Sequence, residues 1–378
     1  MKIMIVTQGK IASGAEKVTS ILYEDYKSDV LIVSGSNPQL EYFSNCGFET
    51  LKIESLLPLD RSNLGFSKIT KIFHSLIPLR KIIINRKPNY VHVNNIPSLL
   101  YTAIASIGLK VKIVLQVHDF YSQDKLVKFI SFLLKQRPNK IIAVSNSVKE
   151  DLTSIGFSPQ NIDVVHNGIK QNSLIEKERE LYYRGSNNIV RVLFIGSIAE
   201  WKGLHVLLKA AKKVNAKSNL QVEYYIVGPF LDKQYEKEIR SLAEEIQHRV
   251  NFMGKRSDIE DLMKQMDILV HCSIKDDPFP TVVLEGMSSG LAVIASTAGG
   301  AKEIITEKST GMLHNAGDYL DLADKIELLI HDKNLRRIIS ANGLTLARKY
   351  LNEERFRKEF FNKVLVDKGS GSISSHNN

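Results

Sequence analysis

At 378 residues the chain exceeds what one hydrophobic core usually organises, so two domains are expected. Its composition, 43% hydrophobic and 24% charged, is globular, and no run of eighteen apolar residues could span a bilayer. The net charge of +10 is unevenly spread: residues 61–140 hold fourteen Lys/Arg against Asp119 and Asp124, a local +12 that implies an anionic partner.

The opening residues 1–7 form too short an apolar stretch for a signal-peptide core and read as a buried first strand. Strand-length apolar runs then alternate with helix-length periodic stretches. In the first half the strands fall at 2–7, 30–33, 90–93, 112–117, 140–144 and 162–165. In the second half they fall at 190–195, 221–227, 250–252, 268–271 and 292–295. Helical patterns lie between them, for example at 204–214, 232–246 and 257–265, and past Gly317 only helices remain. Such alternation predicts parallel sheets covered on both faces. A polar segment at 172–188 marks the seam between two doubly wound units. The expected division is 1–180, 188–348, a final helix at 349–366 and a disordered tail at 367–378, rich in Gly, Ser and Asn. Two cysteines, Cys46 and Cys272, cannot build a disulfide framework and point to a reducing, cytoplasmic compartment.

Open α/β sheets bind ligands beyond the carboxyl ends of their strands, so residues just after strands are the candidates. Ser13-Gly14-Ala15-Glu16 follows the first strand and opens a helix whose amides suit a phosphate, although a plain turn would read the same. His118 directly follows the strand at 112–117 and is either a donor to a sugar or phosphate or a satisfied structural histidine. In the second half, Gly196-Ser197 leaves a strand and Lys202-Gly203 precedes a helix, where an ammonium would meet a diphosphate. An exposed loop lysine is the plainer alternative. The run Asp277-Pro278-Phe279-Pro280-Thr281 continues into an apolar helix that carries Glu285. A carboxylate there needs donors, and two adjacent ribose hydroxyls supply them; a wet helix face would also accommodate it. Gly299-Gly300 then allows close backbone approach to a ligand.

Lys202-Gly203, the two acids separated by seven residues, and Gly299-Gly300 stand in the order that resembles the family-4 glycosyltransferases, with the likeness running from residue 1 to about 366. The resemblance implies the α/β GT-B fold: two Rossmann-like doubly wound lobes facing a central cleft, the last helix crossing back to the first lobe. It implies that the first lobe binds the acceptor and the second the nucleotide sugar. Glu285 would grip the ribose, Asp277 would approach the transferred sugar, and Lys202 would bind the diphosphate. Gly299, Gly300 and the Gly14 turn would assist with backbone amides, and Phe279, Pro280 and Thr281 would line the substrate. His118 would touch the donor sugar, and Met253-Gly254-Lys255 would meet the base. Three departures stand out: Asp277 replaces the usual Glu, Ser197 stands where Arg is common, and Ser13-Gly14 replaces paired glycines.

The resemblance implies retention of anomeric configuration, and front-face displacement is favoured because no residue reads as a covalent nucleophile. No Asp-x-Asp pair and no zinc-spaced His/Cys cluster occurs, so the reaction is expected to need neither metal nor cofactor, the nucleotide sugar being a co-substrate. Another GT-B enzyme, such as a nucleotide-sugar epimerase or an inverting transferase, and a non-catalytic nucleotide-sugar-binding protein remain as alternatives. Nucleic acid is not an expected partner, since no recognition motif accompanies the basic block. That block contains two amphipathic helical patterns, 67–84 and 123–136, with Pro78 expected to break or kink the first. Basic faces beside Phe and Leu suit an anionic membrane, unless the apolar sides pack wholly inward. The resulting expectation is a peripheral enzyme of surface-polysaccharide or glycolipid assembly, acting on a glycan or lipid-linked acceptor at the cytoplasmic leaflet.

Overall fold

The apolar runs become two parallel sheets in the computed structural model, which describes residues 1–9, 13–56, 66–171, 189–217, 221–246 and 249–365. The chain divides into two units, Met1–Asn167 with Glu353–Asn378, and Gly168–Asn352. The sequence-predicted seam and the tail beyond 365 lie outside the described residues.

The first unit holds β1 (Ile3–Val6), β2 (Val30–Ser34), β3 (Glu49–Lys52), β4 (Tyr90–Val93), β5 (Lys112–Val117), β6 (Lys140–Ala143) and β7 (Ile162–Val164). They pair in the order β3-β2-β1-β4-β5-β6-β7, all parallel. Every residue of β1, β2 and β4 is buried, as it must be when helices cover both faces. The helices are α1 (Gly14–Leu22), α2 (Asn37–Asn45), α3 (Phe66–Arg86), α4 (Ile96–Ala105), α5 (Lys125–Leu134) and α6 (Asn146–Ser154). The proline does not end α3: the helix runs on through Pro78, held by buried Ser75, Leu79 and Ile83. Of the expected break or kink, the break does not occur, because inward packing outweighs one lost backbone hydrogen bond.

The second unit holds β8 (Ile189–Ile195), β9 (Gln221–Val227), β10 (Val250–Gly254), β11 (Ile268–His271), β12 (Ala292–Ser296) and β13 (Met312–His314), in the order β10-β9-β8-β11-β12-β13. Its helices are α7 (Leu204–Lys217), α8 (Lys233–Glu244), α9 (Ile259–Lys264), α10 (Thr281–Ser288), α11 (Tyr319–His331) and α12 (Lys333–Tyr350). Strands β3 and β13 were absent from the sequence expectation. Both are short edge strands, and β3 is half polar and partly exposed, so neither carries a hydrophobic pattern to read.

The last helix, α13 (Glu353–Leu365), belongs to the first unit although it follows the second in sequence. Its Phe356 and Phe360 are fully buried in the cluster formed by Tyr23, Ile32, Tyr90 and Val114. Truncating either ring would remove roughly 3–5 kcal/mol of packing. Arg355 donates to the carbonyls of His166 and Asn167, and Lys363 pairs with Asp163 at 3.2 Å, which ties both ends of the helix to the strands beneath.

Candidate functional site: the rim of the second sheet

In the second unit the loops after β8, β11 and β12 are pinned together by glycine. Gly203 adopts φ +72°, and a Cβ there would meet the Cys272 carbonyl oxygen at 2.0 Å. Gly299, at φ +87°, would put a Cβ 2.0 Å from the Asp277 oxygen. Only glycine tolerates both the conformation and the contact. These close approaches bring Lys202, just before α7, beside Asp277, which follows β11.

The ammonium of Lys202 donates to Asp277 Oδ2 at 2.6 Å and lies 4.0 Å from the face of Trp201. His271, the last residue of β11, reaches the same oxygen through Nε2 at 3.2 Å. Ser273 Oγ lies 3.0 Å from that nitrogen, and His314 Nε2 is 3.3 Å from the His271 carbonyl oxygen. Asp277 is 6% exposed. Burial pushes its carboxyl up, but the His271 hydrogen bond and the Lys202 charge outweigh it, holding the group well below the usual carboxylate range. The carboxylate is therefore ionised at neutral pH. Lys202 keeps two further N–H donors and about a fifth of its side-chain surface exposed, so it can still meet an anion.

Glu285 lies in α10, half-buried, between the buried Leu284 and Gly286. Thr281 opens that helix, half-buried, after the buried Phe279 and Pro280. Ser197 is half-buried after β8, while Gly254 and Lys255 are exposed at the end of β10. Two expectations change on these facts. The Gly300 amide donates to the Asp277 carbonyl at 2.9 Å, so it braces the loop before it can serve a ligand. Asp277 turns inward onto Lys202 and His271, as suits an acid one methylene shorter than Glu.

In the first unit Gly14 is exposed at the start of α1, but an internal anion already occupies that helix end. Glu16, buried, accepts from the Ser13 amide at 2.7 Å, from Ser13 Oγ at 2.8 Å and from Gln39 Nε2 at 2.6 Å. The capping box thus satisfies the Ser13 and Glu16 amides at that helix end. His118 follows β5, with its Nε2 buried and without a hydrogen-bond partner among the described residues. Burial lowers its pKa to about 4, which makes the ring neutral at pH 7 and able to donate a hydrogen bond outward.

Comparison with known proteins decides the family. Residues 29–172 match the family model described as Glycosyltransferase Family 4, and residues 185–345 match that of Glycosyl transferases group 1. The chain belongs to the family-4 glycosyltransferases. A Campylobacter jejuni N,N'-diacetylbacillosaminyl-diphospho-undecaprenol alpha-1,3-N-acetylgalactosaminyltransferase is 25% identical over 344 residues, 86% of this chain and 88% of that protein. An uncharacterized glycosyltransferase of Methanocaldococcus jannaschii is 23% identical over 238 residues, 62% of this chain and 60% of that one. The chain thus spans less than two-thirds of the length of that archaeal relative. Anabaena HepE, whose crystal structure was determined in complex with UDP, shares the fold: TM-score 0.81, 22% identity, 97% of this chain and 100% of that chain covered. This glycosyltransferase accordingly has the GT-B architecture of two Rossmann-like units.

Two residues that shape these strand-end loops are not found by the sequence reading. His271 closes a strand just as His118 does, and the same strand-end argument would have found it. Glu16 was read only as part of a turn, although a Ser three residues before a Glu at a helix start is the capping-box signature.

Proposed function

We propose that this glycosyltransferase moves a sugar from a UDP- or GDP-sugar to a glycan or lipid-linked acceptor, with retention and without a metal ion. The observation that carries the reading is the ammonium of Lys202, held in the loop after β8 by Asp277, whose carboxylate His271 also contacts. Cleaving the anomeric bond leaves negative charge on the diphosphate, and a pre-positioned cation meets that charge without reorganising. Asp277 acts by holding Lys202, and Glu285 accepts from the ribose hydroxyls. The sequence contains no Asp-x-Asp pair to clamp a divalent ion on the diphosphate, which leaves that task to Lys202. Neutral His118 donates to a hydroxyl of the transferred sugar. The HepE structures solved with UDP and with UDP-glucose support a uridine donor, and the undecaprenol-linked Campylobacter relative supports a lipid-linked acceptor in surface-glycan assembly. The two cysteines are free, in keeping with a cytoplasmic site of action.

Hydrolysis of a panel of UDP-, GDP- and ADP-sugars tests the reading directly. Turnover of a UDP- or GDP-sugar is expected, and tight binding with no turnover of any donor would instead identify a non-catalytic binding protein. Turnover should persist in EDTA; its complete loss, with recovery in Mg²⁺ or Mn²⁺, would remove Lys202 as the sole charge partner. NMR of the product anomer separates retention from inversion.

A further inference from the structure

Helix α5 presents two stripes. Val127, Ile130, Ser131 and Leu134, at helical spacing, are buried against the first unit. The opposite stripe contains Lys125, Lys128, Phe129, Phe132 and Leu133, and its three apolar members are 61%, 61% and 59% exposed. A surface helix needs only one apolar stripe. The second is not covered by any described part of the chain.

The neighbouring helices extend this surface. α4 packs against both α3 and α5. Arg80 of α3 donates to the carbonyls of Ala105 and Ile107 at 3.0 and 2.7 Å, and Arg137 donates to that of Ala103 at 2.8 Å. These bonds fix α3 and the end of α5 to α4, and Phe73 and Ile77 of α3 and Ile107 are exposed as well. Lys81, Lys110, Lys125 and Lys128 are exposed around them. Asp124, the nearest acid in sequence, is turned onto the α5 N-terminus, where it accepts from the Leu126 and Val127 amides.

We propose that the α3–α4–α5 face of the first unit docks onto a bilayer surface containing anionic phospholipid, with Phe129, Phe132 and Leu133 entering the headgroup boundary. The charge pattern selects this occupant. Protein interfaces deplete lysine at their cores, and a second copy of this chain would bring like charges together. Lysine interleaved with phenyl rings fits a lipid surface, where the rings bury and the ammonium groups reach headgroup phosphates. Lys135 shows the habit, lying 4.5 Å from the centre of the Phe132 ring.

Co-sedimentation of the full chain with vesicles tests the proposal, using phosphatidylcholine alone and with about one-third phosphatidylglycerol. Binding is expected with the anionic vesicles and should weaken at high salt. Phe129→Ser/Phe132→Ser should weaken it about ten-fold or more. Lys125→Gln/Lys128→Gln should weaken it about 25-fold, each lysine near an anionic surface contributing about a five-fold factor. Thermal unfolding by circular dichroism checks that each pair folds, and either pair alone suffices if the other does not. No binding, equal binding to neutral vesicles, or binding that neither pair changes overturns the proposal. So does a dimer in light scattering that the Phe pair converts to monomer, which would make the face a self-association surface. Donor hydrolysis, measured without vesicles, reports on the transfer reaction independently.

Discussion

The strand-end loops of the two sheets are built alike but hold different side chains. After β1 of the first unit, the chain's own Glu16 caps the helix N-terminus, and the His118 ring after β5 is neutral. After β8 of the second, a cation is held ready: Lys202 rests on an ionised Asp277 that His271 also grips. A helix N-terminus is therefore not an anion site merely by being one. It becomes one where the sequence leaves its donors open or adds a positive side chain.

That contrast is broken most severely at Lys202. Lys202→Ala should lower donor turnover by about 10²–10³-fold, roughly 2.7–4 kcal/mol, as loss of one transition-state donor does elsewhere. Steady-state kinetics decide it, and turnover close to wild type would mean that the second rim has another cation. Glu285→Gln should leave the fold intact and weaken nucleotide binding by about 10–150-fold, the range for a lost charged hydrogen bond. Unchanged affinity in isothermal titration would refute the ribose assignment.

The first unit is broken instead by acid. His92 is buried and His118 half-buried with its Nε2 enclosed; burial lowers their pKa values to about 3 and about 4, the His118 ring adding to the burial effect at His92. The unfolded chain, near 6.5, takes up protons first. The stability these neutral rings contribute is complete above about pH 6.5 and is lost as pH falls toward 4 and 3. His92→Phe should flatten this slope by up to about 1.4 kcal/mol per pH unit between 6.5 and 4. Denaturant unfolding at several pH values, followed by circular dichroism, would expose an unchanged slope and so reject burial as the cause. Asp277 behaves differently: its pKa is depressed, so its contribution is complete above about pH 4 and falls away only below that. Trp201, the single tryptophan, reports on the second unit by fluorescence and separates the two responses. The smallest effect is expected at His271. His271→Gln keeps a donor for Asp277 and should lose about 1 kcal/mol, a drop of about 2–4 °C in Tm for a unit of this size.

Much of this was legible in the residues. Periodicity placed eleven strands within a residue or two, because strands of a doubly covered sheet are apolar on both sides. It missed β3 and β13, which lie at edges and need no such pattern. Strand ends followed by small residues single out Lys202, Asp277 and Gly299 in the sequence. Their partnership was not legible. Lys202 and Asp277 are seventy-five residues apart, and the 2.6 Å contact exists only because Gly203 and Gly299 let three loops close on one another. Likewise the pattern at 123–136 showed that α5 is amphipathic, but not which of its two apolar stripes would meet the core.

The sequence by itself determined the two parallel α/β units, which follow from hydrophobic period, and the family, which the order of Lys202, Asp277, Glu285 and Gly299-Gly300 resembles. Only the tertiary structure decided how those groups are used. It turned Asp277 inward onto Lys202 and His271, committed the Gly300 amide to bracing a loop, filled the first helix end with Glu16 and left the outer stripe of α5 bare. Each of these depends on which distant segments lie within hydrogen-bond or van der Waals reach, and no local pattern encodes that.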